Sequence, residues 1–137
     1  EADANPNVVN FAQLMTPLHM ALNVETLEVL FNRGADVLLA DVDGKLALHH
    51  ACLARASDCV EFLCEMCPEF SDARDSRFGH TPLHDAASVN FADGIQLLLL
   101  FLEDPVETLA KVNHENQTAL DIAQDLDFRE CIEALMS

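Results

Sequence analysis

The sequence has few basic residues, few glycines and no long apolar run. Seven Lys and Arg stand against 24 Asp and Glu, and the formal net charge is −17. A field of this sign repels nucleic acid and anionic membrane surfaces, so neither is expected as a partner. Basic protein segments would be attracted, although an acidic surface can equally serve only to keep a protein soluble.

The scarcity of glycine and of long apolar segments excludes two further classes. The four glycines are scattered, so the chain has no glycine-rich loop for a phosphate cofactor. The longest apolar run, LLLLFL at 97–102, is far below the roughly 18 residues of a membrane span. It suits one buried helical face, and we expect it to belong to the core. Half of the residues are apolar, which is enough for a packed core.

The five cysteines, at 52, 59, 64, 67 and 131, are an odd number in no familiar disulfide framework. Most fall among apolar helical positions, where a thiol behaves as a small hydrophobe. A reducing intracellular compartment, cytoplasmic or nuclear, is therefore expected. Without a second Cys-x-x-Cys pair, no metal site is predicted. A nucleophile made of Cys52 with His49 or His50 lacks a readable orienting acid, so catalysis is not expected either.

The chain repeats itself. The segments TPLHMA, LALHHA, TPLHDA and TALDIA begin at residues 16, 46, 81 and 118, which gives spacings of 30, 35 and 37 residues. A second apolar segment with helical spacing follows each start, at 24–37, 57–70, 93–102 and 128–136. Polar, turn-forming stretches (DVDGK, DSRFGH and NHENQ) precede three of the starts. The repeating unit is therefore a turn, a short helix and a second helix.

These motifs resemble the ankyrin-repeat family over roughly residues 5 to 137. The carriers are a turn ending in Gly, Thr-Pro-Leu-His followed by a small residue, and Gly-Ala-Asp after a second helix. The resemblance implies an all-α fold, an ankyrin-repeat solenoid of stacked helix-turn-helix units with hairpin-like turns. The Thr would cap each first helix and the Pro would occupy its first turn. In the family the motif's His ties repeats together, which would be the role of His19, His49 and His84.

We predict a single domain, 1–137, divided by this pattern. Residues 1–14 resemble the remnant of a preceding repeat or an N-terminal cap, and the chain is expected to be part of a longer protein. Repeats follow at 15–44, at 45–80 and, with a longer polar connection containing Pro105, at 81–117. Residues 118–137 form a capping repeat, since charged residues interrupt its apolar ones.

The resemblance also implies a binding surface on the concave side, made of turn tips and the exposed ends of first helices. Carried onto this chain, the predicted partner-binding residues are Gln13, Met15, Asn23, Val42, Asp43, Lys45, Leu53, Arg77, Phe78, His80, Ser88, Val89, His114, Glu115 and Gln117. The surface is mixed, so a protein or peptide with an apolar anchor flanked by Lys or Arg would fit it.

Three functions are consistent with this reading. A non-catalytic protein-protein interaction module, without cofactor and monomeric as an isolated domain, fits the repeats best. Alternatively, the chain is the regulatory or targeting segment of an enzyme whose catalytic domain lies outside it. A structural spacer that self-associates is the third, and it would show a concentration-dependent mass in solution.

Overall fold

The computed structural model describes residues 23–36, 39–68 and 71–136, and within these ranges the chain forms helices and no strand. The helices are α1 (Val24–Asn32), α2 (Ala47–Leu53), α3 (Ser57–Met66), α4 (Pro82–Ser88), α5 (Ala92–Phe101), α6 (Pro105–Ala110), α7 (Ala119–Asp125) and α8 (Arg129–Met136). The predicted all-α solenoid is confirmed.

The helices stack in two layers. In the inner layer α2 packs on α4 and α4 on α7, while in the outer layer α1 packs on α3, α3 on α5 and α5 on α8. Each inner helix also contacts the outer helix that follows it. The small residues of the repeated motif allow this close approach, since Ala51, Ala86 and Ala123 are at most 2% exposed.

One residue with a left-handed backbone conformation lies between each inner helix and the outer helix that follows it. Arg55, Asn90 and Asp127 have φ of 58°, 57° and 56°. In each case the next residue, such as Phe91, donates its N–H to a carbonyl five positions earlier, such as that of Ala86. This is the hydrogen bond of a Schellman helix end, which satisfies carbonyls that the helix leaves without a partner.

The inner helices begin where the Thr residues of the motif predict. Thr81 Oγ1 accepts from the backbone N–H of His84, and Thr118 Oγ1 accepts from that of Asp121. In return, the side chains of His84 and Asp121 accept the N–H of the capping Thr, completing a capping box. At α2 the cap is Leu46, which has no hydroxyl, but its N–H still donates to His49 Nδ1 at 3.0 Å.

The apolar run in α5 has the predicted buried face, but Leu100 does not belong to the core, contrary to expectation. Ile95 and Leu98 are fully buried, whereas Leu100 is 79% exposed. Successive helical residues differ by about 100° in direction, so a residue two positions after a buried one points away from the core. An outer helix has only one covered face, and Leu100 lies on the other.

The polar connection around Pro105, in which no helix was predicted, contains the helix α6. Proline suits a first helical position because its missing N–H has no partner there in any case. The side chain of Asp104 accepts from the backbone N–H of Glu107 at 3.0 Å, which caps the helix. Thr108 is buried, and its hydroxyl donates a hydrogen bond to the Asp104 carbonyl.

Candidate functional site

The turns before α2, α4 and α7 share one local design. In each, the side chain of a leading Asp or Asn accepts two backbone N–H groups from its own turn: Asp41 those of residues 43 and 45, Asp75 those of 78 and 79, and Asn113 those of 115 and 117. A left-handed residue closes each turn, namely Gly44, Gly79 and Asn116. The turns are thereby held rigid by their own sequence.

Neighbouring turns are joined edge to edge by backbone hydrogen bonds. The Asp43 carbonyl accepts the N–H groups of Ser76 and Arg77 at 2.9 and 3.1 Å, and the Phe78 carbonyl accepts that of His114 at 2.9 Å. These bonds place the exposed and half-buried turn residues in one row. We call this row the tip surface, and it consists of Val42, Asp43, Arg77, Phe78, His114 and Glu115.

The motif histidines hold the turns to the inner helices. His49 Nε2 lies 2.8 Å from the Ala73 carbonyl, and His84 Nε2 lies 2.9 Å from the Gln117 carbonyl in the following turn. Burial lowers the pKa of both imidazoles, so they are neutral donors at neutral pH. The tie between repeats implied by the resemblance is confirmed for these two residues, whereas His19 lies outside the described residues.

A buried charge network lies beneath the tip surface. Lys45 Nζ is 2.6 Å from Asp75 Oδ2 and 3.5 Å from Asp85 Oδ1, and His80 Nδ1 is 3.1 Å from Asp85 Oδ1. Burial alone would raise the pKa of Asp75, but hydrogen bonds from Lys45 and from the Phe78 N–H, with the lysine charge, lower it overall. Lys45, predicted as a partner contact, is only 6% exposed and stabilises the turns from inside.

The aromatic centre of the tip surface is supported by cations. Phe78 is 41% exposed, with the Arg77 guanidinium carbon 5.1 Å and Lys45 Nζ 5.5 Å from the centre of its ring. The His80 ring lies 5.4 Å from it on the inner side. Arg77 is itself oriented by Asp43, at 3.3 Å. Cation–π contacts at exposed sites stabilise such an arrangement by about 0.5–1 kcal/mol.

The remaining predicted partner-binding residues are spread over several positions. Gln13 and Met15 lie outside the described residues. Asn23 caps α1, where its side chain accepts the Thr26 N–H. Leu53, Ser88 and Val89 are half-buried at the ends of α2 and α4. Gln117 is half-buried and donates to Asp125 at 3.0 Å. The structure therefore brings together the turn residues, with Val42 and Phe78 as their exposed apolar members.

One cluster with metal-ligand chemistry was not predicted from the sequence. Three potential ligand atoms lie within 4.8 Å of one another, one each from Asp75, His80 and Asp85. No sequence motif indicates this cluster, because its three residues come from the two ends of a turn and from the helix that follows the turn. The Lys45 ammonium lies among the two carboxylates and supplies the positive charge there.

The cysteines behave as small buried hydrophobes. All five lie in the described part of the chain, none of them forms a disulfide, and Cys52, Cys59, Cys64 and Cys131 are buried. Burial raises the pKa of the Cys52 thiol well above its usual value. A buried, protonated thiol is a poor nucleophile, which counts against the Cys–His pairing considered from the sequence.

Known proteins resemble this chain over most of its length. The sequence profile of the family described as Ankyrin repeats (3 copies) matches residues 2–70 and 18–108. The chain is 31% identical over 105 residues to the Transient receptor potential cation channel subfamily A member 1 of Homo sapiens, covering 74% of this chain and 9% of that protein. It is 29% identical over 141 positions to the E3 ubiquitin-protein ligase KEG of Arabidopsis thaliana, covering 98% of this chain and 8% of that protein.

The chain thus spans about a tenth of the length of these two relatives. None of the helices in the described ranges is long and apolar enough to cross a membrane.

Proposed function

Since this chain belongs to the ankyrin-repeat family, whose repeats are protein-interaction modules, we propose that it binds a partner protein or peptide through the tip surface. The adjoining ends of the first helices complete the concave side implied by the family resemblance. In this proposal the chain performs no chemistry, needs no cofactor, is monomeric by itself and forms one part of a larger intracellular protein. Five cysteines without a disulfide support a reducing compartment.

The observation that carries the proposal is the exposure of two apolar side chains on a rigid support. Val42 is 56% exposed and Phe78 is 41% exposed, on turns that are hydrogen-bonded to each other. Binding loses less entropy when the contact residues are already ordered, so a fixed aromatic is a favourable anchor.

The partner's chemistry follows from what surrounds the anchors. Asp43, which pairs with Arg77, and Glu115 share the tip surface with Val42 and Phe78, and the whole chain carries a formal charge of −17. A partner segment with an apolar residue flanked by Lys or Arg would gain contact with the anchors and attraction from the acids. The attraction would raise its association rate at low salt.

Affinity capture from cell extract tests the proposal. The bait is the wild-type chain beside a Val42→Ala, Phe78→Ala double variant and a matched control, Val106→Ala with Met136→Ala, whose residues are 78% and 68% exposed on other helices. We call the Val42→Ala, Phe78→Ala protein the tip variant. A partner that wild type and control retain, and whose recovery falls roughly tenfold on the tip variant, supports the proposal. Equal recovery on all three folded baits contradicts it.

A second function is favoured by one comparison. A relative is an E3 ubiquitin-protein ligase of which this chain spans 8%. The chain would then be the regulatory or targeting segment of an enzyme whose catalytic domain lies outside it, and the tip surface would bind the target. Ubiquitin transfer by the full-length protein to the captured partner, abolished by the tip variant, would distinguish this function from simple scaffolding.

A further inference from the structure

The charged residues on the exposed side of the outer helices are almost all acidic. Within α1, α3, α5 and α8, Arg129 is the only Lys or Arg. The exposed carboxylates of these helices are those of Glu25, Glu28, Asp58, Glu61, Glu65, Asp93, Glu130 and Glu133. A surface of one sign attracts oppositely charged segments and repels copies of itself.

A groove of about 390 Å³ lies between α3 and α5 on this acidic side. Asp58 and Glu61 line it from α3, and Asp93 lines it from α5. Its apolar lining comes from Leu97, which is half-buried, and from Leu100, which is 79% exposed.

The spacing of these residues matches the way two helices receive a third. Positions 93, 97 and 100 of α5 lie on one face, as do 58 and 61 of α3. Both helices have 10 residues, which corresponds to about 15 Å or three turns. An amphipathic helix laid along such a groove contacts it with residues one turn apart.

We propose that the α3–α5 groove binds a basic amphipathic helix of a partner protein. Apolar residues of that helix contact Leu97 and Leu100, and flanking Lys or Arg side chains pair with Asp58, Glu61 and Asp93. A second copy of this chain does not fit, because its own outer helices carry the same sign. The groove is formed by outer helices and the tip surface by turns, so this binding is independent of the proposed function.

A synthetic peptide makes the test specific. The probe is a fluorescein-labelled, amidated peptide of about 14 residues, near the length needed for helix formation, built from Ala, with Leu on one helical face and Lys flanking it. A second peptide replaces each Leu with Ser and keeps every Lys. Fluorescence anisotropy is measured at two salt concentrations, with circular dichroism to verify that each protein variant is folded.

The expected result depends on two matched pairs of variants. Leu100→Ser weakens binding of the leucine peptide roughly tenfold, while Val106→Ser, whose side chain is equally exposed at 78%, leaves it unchanged. Asp58→Asn with Glu61→Gln weakens binding and reduces its salt dependence, while Glu115→Gln with Asp125→Asn, which removes two exposed charges outside α3 and α5, has little effect. Amide shifts in NMR spectra concentrate on α3 and α5.

Several outcomes would overturn the proposal. Equal binding of the leucine and serine peptides would mean attraction by charge alone, and equal binding by Leu100→Ser and Val106→Ser would exclude the groove. No binding to wild type overturns it as well. Loss of peptide binding in the Val42→Ala, Phe78→Ala variant would show that the peptide binds the tip surface instead of the groove. Capture through the tip surface can fail or succeed regardless of these results.

Discussion

Lys45 Nζ lies 2.6 Å from Asp75 Oδ2, and this ion pair joins the turn before α2 to the turn before α4 with 8% and 0% of the two side chains exposed. Asp85 lies 3.5 Å from the same ammonium. One buried cation therefore contacts two buried carboxylates. The geometry of the tip surface depends on these contacts, since Asp75 also accepts the Phe78 N–H.

Replacing Lys45 with Met should destabilise the fold strongly. The substitution keeps most of the volume but leaves Asp75 and Asp85 buried without their cation, which costs about 3–5 kcal/mol in comparable cases. Urea unfolding followed by circular dichroism measures the loss. Lys111→Met is the control, since Lys111 pairs with Asp72 at 2.7 Å but the two side chains are 27% and 35% exposed, and its loss should be below about 1 kcal/mol. Similar losses in both variants would argue against the network.

Stability should fall as the pH drops below about 6.5. Burial lowers the pKa of His49 and His84 in the folded chain, so between the folded and unfolded values the unfolded chain binds more protons. The loss of stability levels off below the pKa values of these two histidines in the folded chain. A second loss begins below about pH 3.9, because the pKa values of Asp41 and Asp75 are also lowered on folding.

The contribution of His84 to this pH dependence can be isolated. His84→Gln retains an N–H donor for the Gln117 carbonyl and does not titrate. We expect this variant to be less stable than wild type at pH 7.5 and to lose less stability between pH 7.5 and pH 5.5. Urea unfolding at both pH values gives the comparison. Parallel losses in the two proteins would show that His84 does not contribute.

The parts of the fold that the sequence predicted depend on local chemistry. A Thr caps a helix through residues three positions away, and a small Ala allows close packing wherever it stands. The starts of α2, α4 and α7 and the second helices follow from such rules. The turn residues were found for the same reason, because Asp, Asn and Gly determine a turn within five or six positions. The ties made by His49 and His84 do not follow from such rules, because their partners lie 24 and 33 positions away, and they were implied by the family resemblance.

The parts that it did not predict depend on distant partners. Lys45 is buried because Asp75 and Asp85 stand 30 and 40 positions away in the chain. Leu100 is exposed because α5 lies in the outer layer, which the composition of LLLLFL does not reveal. The helix at Pro105 is a local exception, because proline marks both loops and first helical turns, and the cap by the adjacent Asp104 decides between them.

Gly44 should tolerate substitution less well than Gly34. Both have positive φ, +80° and +90°, so an Ala costs about 1–2 kcal/mol at either place. A Cβ at Gly44 would also approach the backbone nitrogen of Ser76 to 2.6 Å, whereas at Gly34 nothing lies within 4 Å. Forcing the two turns apart should add about 1–3 kcal/mol. Urea unfolding of Gly44→Ala and Gly34→Ala measures the difference, and equal losses would contradict the close contact of the turns.

The native chain should expose one reactive thiol. Cys67 is half-buried, while Cys52, Cys59, Cys64 and Cys131 are buried. Burial raises the pKa of Cys64 to about 11, so little thiolate is present there at pH 8. Ellman's reagent should therefore titrate one thiol rapidly, and Cys67→Ser should abolish this phase. All five thiols should react in guanidinium chloride. Rapid reaction of a second thiol in the native protein would contradict the packing of the outer helices, where Cys59, Cys64 and Cys131 lie.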